Sequence, residues 1–169
     1  MNPICYSPIG TIRSPFSEIQ GMPIQPRGAQ GIRGTVEMRL DLVSGLKDLE
    51  GFSHLILIYH FHCSQGFSLH LKPFLDDHDH GVFATRAPRR PNPIGISVVR
   101  LASIDGHVLH IEDVDILDGT PLLDIKPYVP EFDVREPARI GWLLGRAEKV
   151  AECRADERFD STPPGEEFT

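Results

Sequence analysis

The chain has 169 residues, 40% of them hydrophobic and 24% charged. That is enough apolar material for one packed domain and too ordinary a charge content for a disordered chain. With 15 glycines and 15 prolines it is too heavily punctuated for a helix bundle and suits short strands joined by tight turns. A net charge of −7 argues against holding nucleic acid by overall charge. Cys5, Cys63 and Cys153 lack the spacing of a zinc site or a disulfide framework. No apolar run approaches the roughly 18 residues of a membrane span, and the first residues lack the pattern of a signal peptide. A cytoplasmic protein with reduced thiols is expected.

Ile9–Arg13 is read as a first strand, followed by a long polar loop from Ser14 to Gly34. Loops longer than about 12–15 residues in a compact domain are usually functional or disordered, and Gln25 and Arg27 are its ligand-facing candidates. Thr35–Leu42 alternates Val36, Met38, Leu40 and Leu42 with polar neighbours, the period of a half-buried strand. Leu46 and Leu49, with Gly51 after them, predict a short helix over Ser44–Glu50. His54–His62 is apolar on both parities in its middle, as a strand covered on both faces would be. Further strands are expected at Phe83–Thr85, at Ile94–Leu101 with Ile94, Ile96 and Val98 on one parity, and at Val108–Leu117. The last loses its alternation near Glu112–Asp113, which suggests a bulge. Spacing after Pro137 predicts a late helix over Glu148–Arg158 and a frayed end over Ser161–Thr169. Many short strands and few helices point to a sandwich or barrel.

Four places could carry chemistry. Residues 81–95 read GVFATRAPRRPNPIG, and from Gly81 to Ser103 there are four arginines (Arg86, Arg89, Arg90, Arg100) and no acidic residue. This island suits a carboxylate, a phosphate or a nucleic-acid backbone, and Pro88, Pro91 and Pro93 stiffen it. Its bland alternative is a proline-rich connection with solvated arginines. Asp118-Gly119-Thr120-Pro121 is a turn that could show main-chain amides to a small ligand, or simply reverse the chain. His60 and His62, two apart on a strand, with the DDHDH run at 76–80, could form a metal site, although no recognised ligand spacing is present. A metal-dependent hydrolase is therefore one reading, and a solvated loop the plainer one. The 14–34 loop is the fourth.

Four stretches carry a family resemblance. Ile9-Gly10-Thr11-Ile12-Arg13-Ser14-Pro15-Phe16 and Leu49-Glu50-Gly51-Phe52-Ser53-His54-Leu55 resemble the opening motifs of the TsaA-like family, also called YaeB-like or TrmO. Gly81-Val82-Phe83-Ala84-Thr85-Arg86 with Arg90-Pro91-Asn92-Pro93-Ile94-Gly95 resembles its central signature, and Asp118-Gly119-Thr120-Pro121 with Asp124-Ile125-Lys126-Pro127-Tyr128 its third.

The resemblance implies a mainly β protein: a small β-barrel with a few short helices over residues 1–145, and a charged tail over 146–169 that is not a separate domain. It implies a homodimer that binds S-adenosylmethionine and methylates N6 of threonylcarbamoyladenosine beside the anticodon of tRNA, without metal or membrane. Cofactor contacts would fall on Pro23, Gln25, His62, Cys63, Arg86, Ile96, Asp118, Gly119, Thr120 and Pro121. Arg89, Arg90 and Arg100 would then face RNA phosphate. Two positions depart from the family's usual residues: Pro23-Ile24-Gln25 stands where relatives read Pro-Arg-Gln, and His62-Cys63 where they often read His-Gln. Longer relatives also continue into a C-terminal domain that helps build the tRNA site, whereas this sequence ends at Thr169. The alternative expectation is an S-adenosylmethionine-binding barrel, or a methyltransferase of a small metabolite, without tRNA activity. For the proton acceptor, His60, His62 and Asp118 stay open.

Overall fold

A computed structural model describes residues 2–159. Six strands close into an antiparallel barrel in the order β1 (Gly10–Arg13), β2 (Arg33–Met38), β7 (Val108–Glu112), β6 (Ile94–Asp105), β3 (His54–His60) and β8 (Thr120–Pro127). A two-stranded ribbon, β4 (His70–Leu71) with β5 (His80–Gly81), lies outside it. Closure leaves no unpaired edge among the six, which protects short strands that would pair poorly alone. The interior is filled by Ile12, Val36, Leu55, Leu57, Val99, Leu109, Ile111 and Leu122, all buried. Among the described residues no helix is long and apolar enough to cross a membrane.

The β3–β6 register sets what faces inward. Leu55 pairs with Val99, Leu57 with Ser97 and Tyr59 with Gly95. Cross-strand partners share a face, so Gly95, Ser97 and Val99 point in, while Ile94 and Ile96 point out and stay 40% and 49% exposed. The apolar parity of β6 is thus the outer one at this end. Volume explains it: a Cβ on Gly95 would overlap the Tyr59 ring and lie 2.9 Å from Phe61 Cζ. Tyr59 and Phe61, packed edge to face with centroids 5.4 Å apart, occupy that space instead.

Several expected boundaries move for local reasons. The β2 strand stops at Met38, and Leu40 and Leu42 belong to a 3-10 helix over Leu40–Leu46. The expected helix over Ser44–Glu50 is interrupted at Asp48, whose φ of 68° ends one turn before another begins at Leu49. Phe83–Thr85 is no strand but part of a 3-10 turn over Val82–Ala84. The irregularity at Glu112–Asp113 is a strand end rather than a bulge. Asp113 takes φ 68°, a conformation Asp visits more readily than most residues, and its carboxylate accepts the Gly31 amide, 82 residues away in sequence, at 2.7 Å. Register shifts occur instead between Leu101 and Ser103 and between Ile58 and Tyr59.

The late helix is replaced by 3-10 turns over Ala147–Ala151 and Glu157–Phe159. Between them Ala155 exchanges backbone hydrogen bonds with the 14–34 loop: Gly21 N–H donates to Ala155 O, and Ala155 N–H to Met22 O, both at 2.8 Å. This pairing straightens the chain where a helix would have continued. The expected frayed end over 161–169 lies outside the described residues.

Candidate active site

A cavity of about 690 Å³ opens at the barrel end where β3 leaves and β6 enters. Five separate segments contribute polar groups to it: Gln25 from the long loop, His62 and Cys63 after β3, Arg86 and Arg90 from the proline-rich loop, Asp115 after β7, and Thr120 at the start of β8. The proline-rich loop is fixed to the barrel, Phe61 N–H donating to Pro93 O at 2.8 Å and Ser64 Oγ to Pro88 O at 3.0 Å. Arg86 reaches across the opening and donates from its guanidinium to Gln25 Oε1 at 2.7 Å, joining two loops that sequence separation keeps apart.

The inner wall carries a hydrogen-bonded chain that patterning did not single out. Ser97 Oγ donates to Asp115 Oδ1 at 2.6 Å, so its single proton is used and Tyr59 O–H donates to Ser97 Oγ at 3.0 Å. Burial pushes the Asp115 carboxyl up to about 7; its hydrogen bond from Ser97 and the charge of Arg86 oppose that rise. Burial and the Asp115 charge likewise raise the Tyr59 phenol, which stays protonated. A lone carboxyl between Val114 and Ile116, both buried, was the available signal. It was hidden because the stretch read as strand.

The opposite wall holds His62. Thr120 Oγ1 gives its proton to Leu117 O at 2.6 Å, so in its 3.3 Å contact with His62 Nδ1 the imidazole N–H is the donor. That tautomer leaves the Nε2 lone pair free to accept. Partial burial and nearby His60 lower the His62 pKa, with Asp118 opposing, so the ring is neutral at pH 7.

Of the expected cofactor residues, Pro23, Gln25, His62, Cys63, Arg86, Ile96 and Thr120 line the cavity; Asp118, Gly119 and Pro121 do not. Two amides of the Asp118–Pro121 turn are already taken. Asp118 N–H donates to Phe16 O at 2.8 Å and Gly119 N–H to Ile12 O at 2.9 Å, while the Asp118 carboxylate accepts the Ser14 amide at 3.1 Å.

The arginines do not form one patch. Arg90 lines the cavity and Arg86 bridges it. Arg89 is buried, and among the described residues its Nε has no hydrogen-bond partner. Arg100 sits six residues along β6 from Ile94, about 20 Å away at strand spacing, and pairs with Glu112.

Residues 146–159 form part of the cavity wall, through Ala147, Val150, Ala155 and Phe159. The histidine-rich run is also structural in part. Asp76 accepts from His78 Nδ1 at 3.0 Å and His80 Nε2 at 3.1 Å, and lies 3.4 Å from the Arg146 guanidinium. Among the described residues no three His, Cys, Asp or Glu side chains converge as a metal site would require.

Comparison with known proteins places this geometry in a family. Residues 11–134 match the family described as tRNA-methyltransferase O N-terminal domain. The chain is 61% identical over 158 residues to a Pyrococcus abyssi protein named "Probable S-adenosyl-L-methionine-binding protein", covering 94% of this chain and 86% of that one. It is 36% identical over 133 residues to the human tRNA (adenine(37)-N6)-methyltransferase, covering 75% of this chain but 30% of the human one. A crystal structure of TrmO from Pseudomonas aeruginosa superposes with a TM-score of 0.69 at 44% identity, over 83% of this chain and 63% of that one. The chain belongs to the tRNA-methyltransferase O N-terminal domain family.

Proposed function

We propose that this protein is an S-adenosylmethionine-dependent methyltransferase that methylates N6 of threonylcarbamoyladenosine next to the anticodon of tRNA. The observation that carries the reading is the convergence of Gln25, His62, Arg86 and Thr120, from four distant segments, on one cavity. The cofactor has a carboxylate, an ammonium, a sulfonium and an adenine, and the cavity's polar set among apolar walls matches such a ligand. Its volume, about 690 Å³, falls within the range of about 300–1,000 Å³ usual for such sites.

When bound, S-adenosylmethionine supplies an electrophilic methyl group. Arg86, already oriented by Gln25, binds its carboxylate through the guanidinium fork. The N6 nitrogen of threonylcarbamoyladenosine is delocalised into both the purine and the carbamoyl carbonyl, so it is a weak nucleophile, and its N–H becomes strongly acidic once the nitrogen is methylated. A neutral imidazole at the cavity wall suffices to take that proton. His62 Nε2 meets this need, because its Nδ1–H is engaged by Thr120. Phe83, 75% exposed and on the cavity lining, offers a face for a base to stack on. Of the three arginines expected at RNA phosphate, Arg90 is the one beside the cavity.

The test is incubation of the purified protein with methyl-labelled cofactor and threonylcarbamoyl-modified tRNA, followed by mass spectrometry of the nucleosides. Label in the modified adenosine is the expected result. Tight cofactor binding with no transfer to tRNA would favour a methyltransferase of another acceptor.

A further inference from the structure

We propose that Asp115 and Arg86 bracket the zwitterionic α-amino-acid end of S-adenosylmethionine, Asp115 taking the ammonium and Arg86 the carboxylate. This rests on the reading above that the cavity holds this cofactor. Both residues line the cavity. Asp115 is set into its inner wall with one oxygen accepting from Ser97 and, among the described residues, no ion pair. Behind Ser97 stands Tyr59, so every hydrogen in that chain points toward the carboxylate. A buried carboxylate lacking a partner cation is costly, and a ligand that brings one offsets the cost.

The positions of the two residues select which cation. An α-amino acid carries its ammonium and carboxylate on one carbon, so its receptors must be neighbours. The charge of Arg86 is felt at Asp115, yet Arg86 makes its side-chain hydrogen bond to Gln25. Both face the one cavity, and among the described residues no ion pair joins them. The sulfonium is the poorer candidate on chemical grounds. Its charge disappears as the methyl leaves, so a full carboxylate against it would favour the ground state over the transition state and slow transfer. The ammonium keeps its charge throughout.

The arrangement couples binding to a proton. Without ligand, burial keeps a share of Asp115 protonated near neutral pH, and seating the ammonium ionises it. Among the described residues, the other titratable or charged groups facing the cavity are Tyr59, His62, Cys63, Arg86 and Arg90.

Calorimetric titration of the whole protein with S-adenosylmethionine at pH 6.5, in buffers of different ionisation heats, reads the released proton directly. Net release is expected in the wild type, persisting in His62→Gln and abolished in Asp115→Asn. Asp115→Asn is also expected to weaken S-adenosylmethionine and S-adenosylhomocysteine alike by about 10- to 100-fold, the range for losing a charged hydrogen bond. Binding of 5′-methylthioadenosine, which lacks the amino-acid end, should be unchanged and confirms that the variant is folded. Absence of proton release in the wild type overturns the proposal, and so does unchanged affinity in Asp115→Asn. A loss confined to S-adenosylmethionine overturns it in favour of the sulfonium. No binding of the cofactor at all would instead remove the functional reading on which it rests.

Discussion

Trp142 lies against His80 with ring centroids 4.5 Å apart and planes inclined by 24°, and its indole N–H donates to Ala84 O at 2.8 Å. One side chain therefore ties the C-terminal segment both to β5 and to the turn that precedes Arg86. His80 is held in turn by Asp76, which also lies beside Arg146, so the segment is anchored at two adjacent points. Trp142→Ala removes a stacked contact and a hydrogen bond, together about 1–2 kcal/mol. The melting temperature is expected to fall by about 3–6 °C for a domain of this size. Cofactor affinity should fall with it, because Leu143, Ala147 and Val150 of the same segment line the cavity. Thermal melts and calorimetry on Trp142→Ala and Trp142→Phe check this, with Phe retaining the stacking and most of the affinity.

Arg86 and Gln25 are expected to act unequally on the cofactor. Arg86→Ala removes the guanidinium that would hold a carboxylate and should weaken binding by about 1.5–3 kcal/mol. Gln25→Ala removes only the acceptor that orients it, so a smaller loss of about 0.5–1.5 kcal/mol is expected. Arg86→Lys should behave more like Ala than like the wild type, since one ammonium cannot reproduce a planar fork. Calorimetry on the three variants checks the order. Equal affinity in Arg86→Ala and the wild type would remove Arg86 from the site.

Much of this was legible in the sequence, and the parts that were not share a cause. Alternation located β2 and the first half of β6 because one face of each is buried against the same core, whereas β3, expected to be covered on both faces, buries Leu55, Leu57 and Tyr59 and leaves its other face half-buried. The inward face of β6 was misleading near Ile94, where the interior is filled from the neighbouring strand by Tyr59 and the local residues are Gly95 and Ser97. Strand β8 went unnamed because the turn motif Asp118–Pro121 overlaps its first residues, Thr120 and Pro121. The separate arrivals of Gln25, His62, Arg86 and Thr120 at one cavity were expected only through family likeness. Asp115 was invisible to that likeness and to spacing, since its role depends on Ser97, which lies 18 residues earlier and meets it only in the closed barrel. Arg89 and Arg100 looked equivalent to Arg90 in the sequence. Strand direction separates Arg100 from them, and burial separates Arg89.

Gly95→Ala should be among the more damaging single-methyl changes in the barrel. The added carbon would overlap the Tyr59 ring and crowd Phe61, and Tyr59 is held in place by its contact with Phe61 and its hydrogen bond with Ser97. Overpacking of this kind costs about 1–3 kcal/mol. It should also displace the Tyr59 hydroxyl from Ser97. Urea denaturation gives the first quantity. A Tyr59→Leu, Gly95→Ala double variant, which vacates part of the ring's volume, is expected to recover part of the loss.

His62 and Phe83 are expected to affect transfer rather than cofactor binding. His62→Gln keeps a polar side chain beside Thr120 but cannot take a proton from the reacting amine, so kcat should fall by about 10²–10⁴-fold, the usual worth of a positioned base. Phe83→Ala should instead raise the KM for tRNA, as loss of a stacked base contact is worth about 1–3 kcal/mol. Steady-state kinetics with cofactor held saturating separates the two. A fall in cofactor affinity in either variant would reassign that residue to the cofactor side of the cavity.

The apo protein should become less stable as pH rises toward neutral, and Asp115 should be the reason. Its carboxyl has an ordinary value of 3.8 when exposed and is pushed up to about 7 in the folded chain, chiefly by burial. The folded state therefore holds this proton more tightly than the unfolded state. The stability contributed by the protonated form is full below pH 4 and is lost as pH rises toward 7, after which it changes no further. Asp76 runs the other way. Hydrogen bonds from His78 and His80 hold its carboxyl well below the usual range, so its contribution is present above pH 4 and is lost only as pH falls below that. Measurements between pH 4.5 and 8 thus report on Asp115 without interference from Asp76. Asp115→Asn keeps an oxygen for Ser97 to donate to and carries no charge. Without ligand it should match the wild type near pH 4.5 and exceed its stability at pH 8 by about 1–3 kcal/mol, a discounted fraction of what a shift of that size would give. Urea denaturation across this range provides the comparison. A variant less stable than the wild type at pH 8 would mean that the Asp115 carboxylate is ionised and already paired in the folded apo protein.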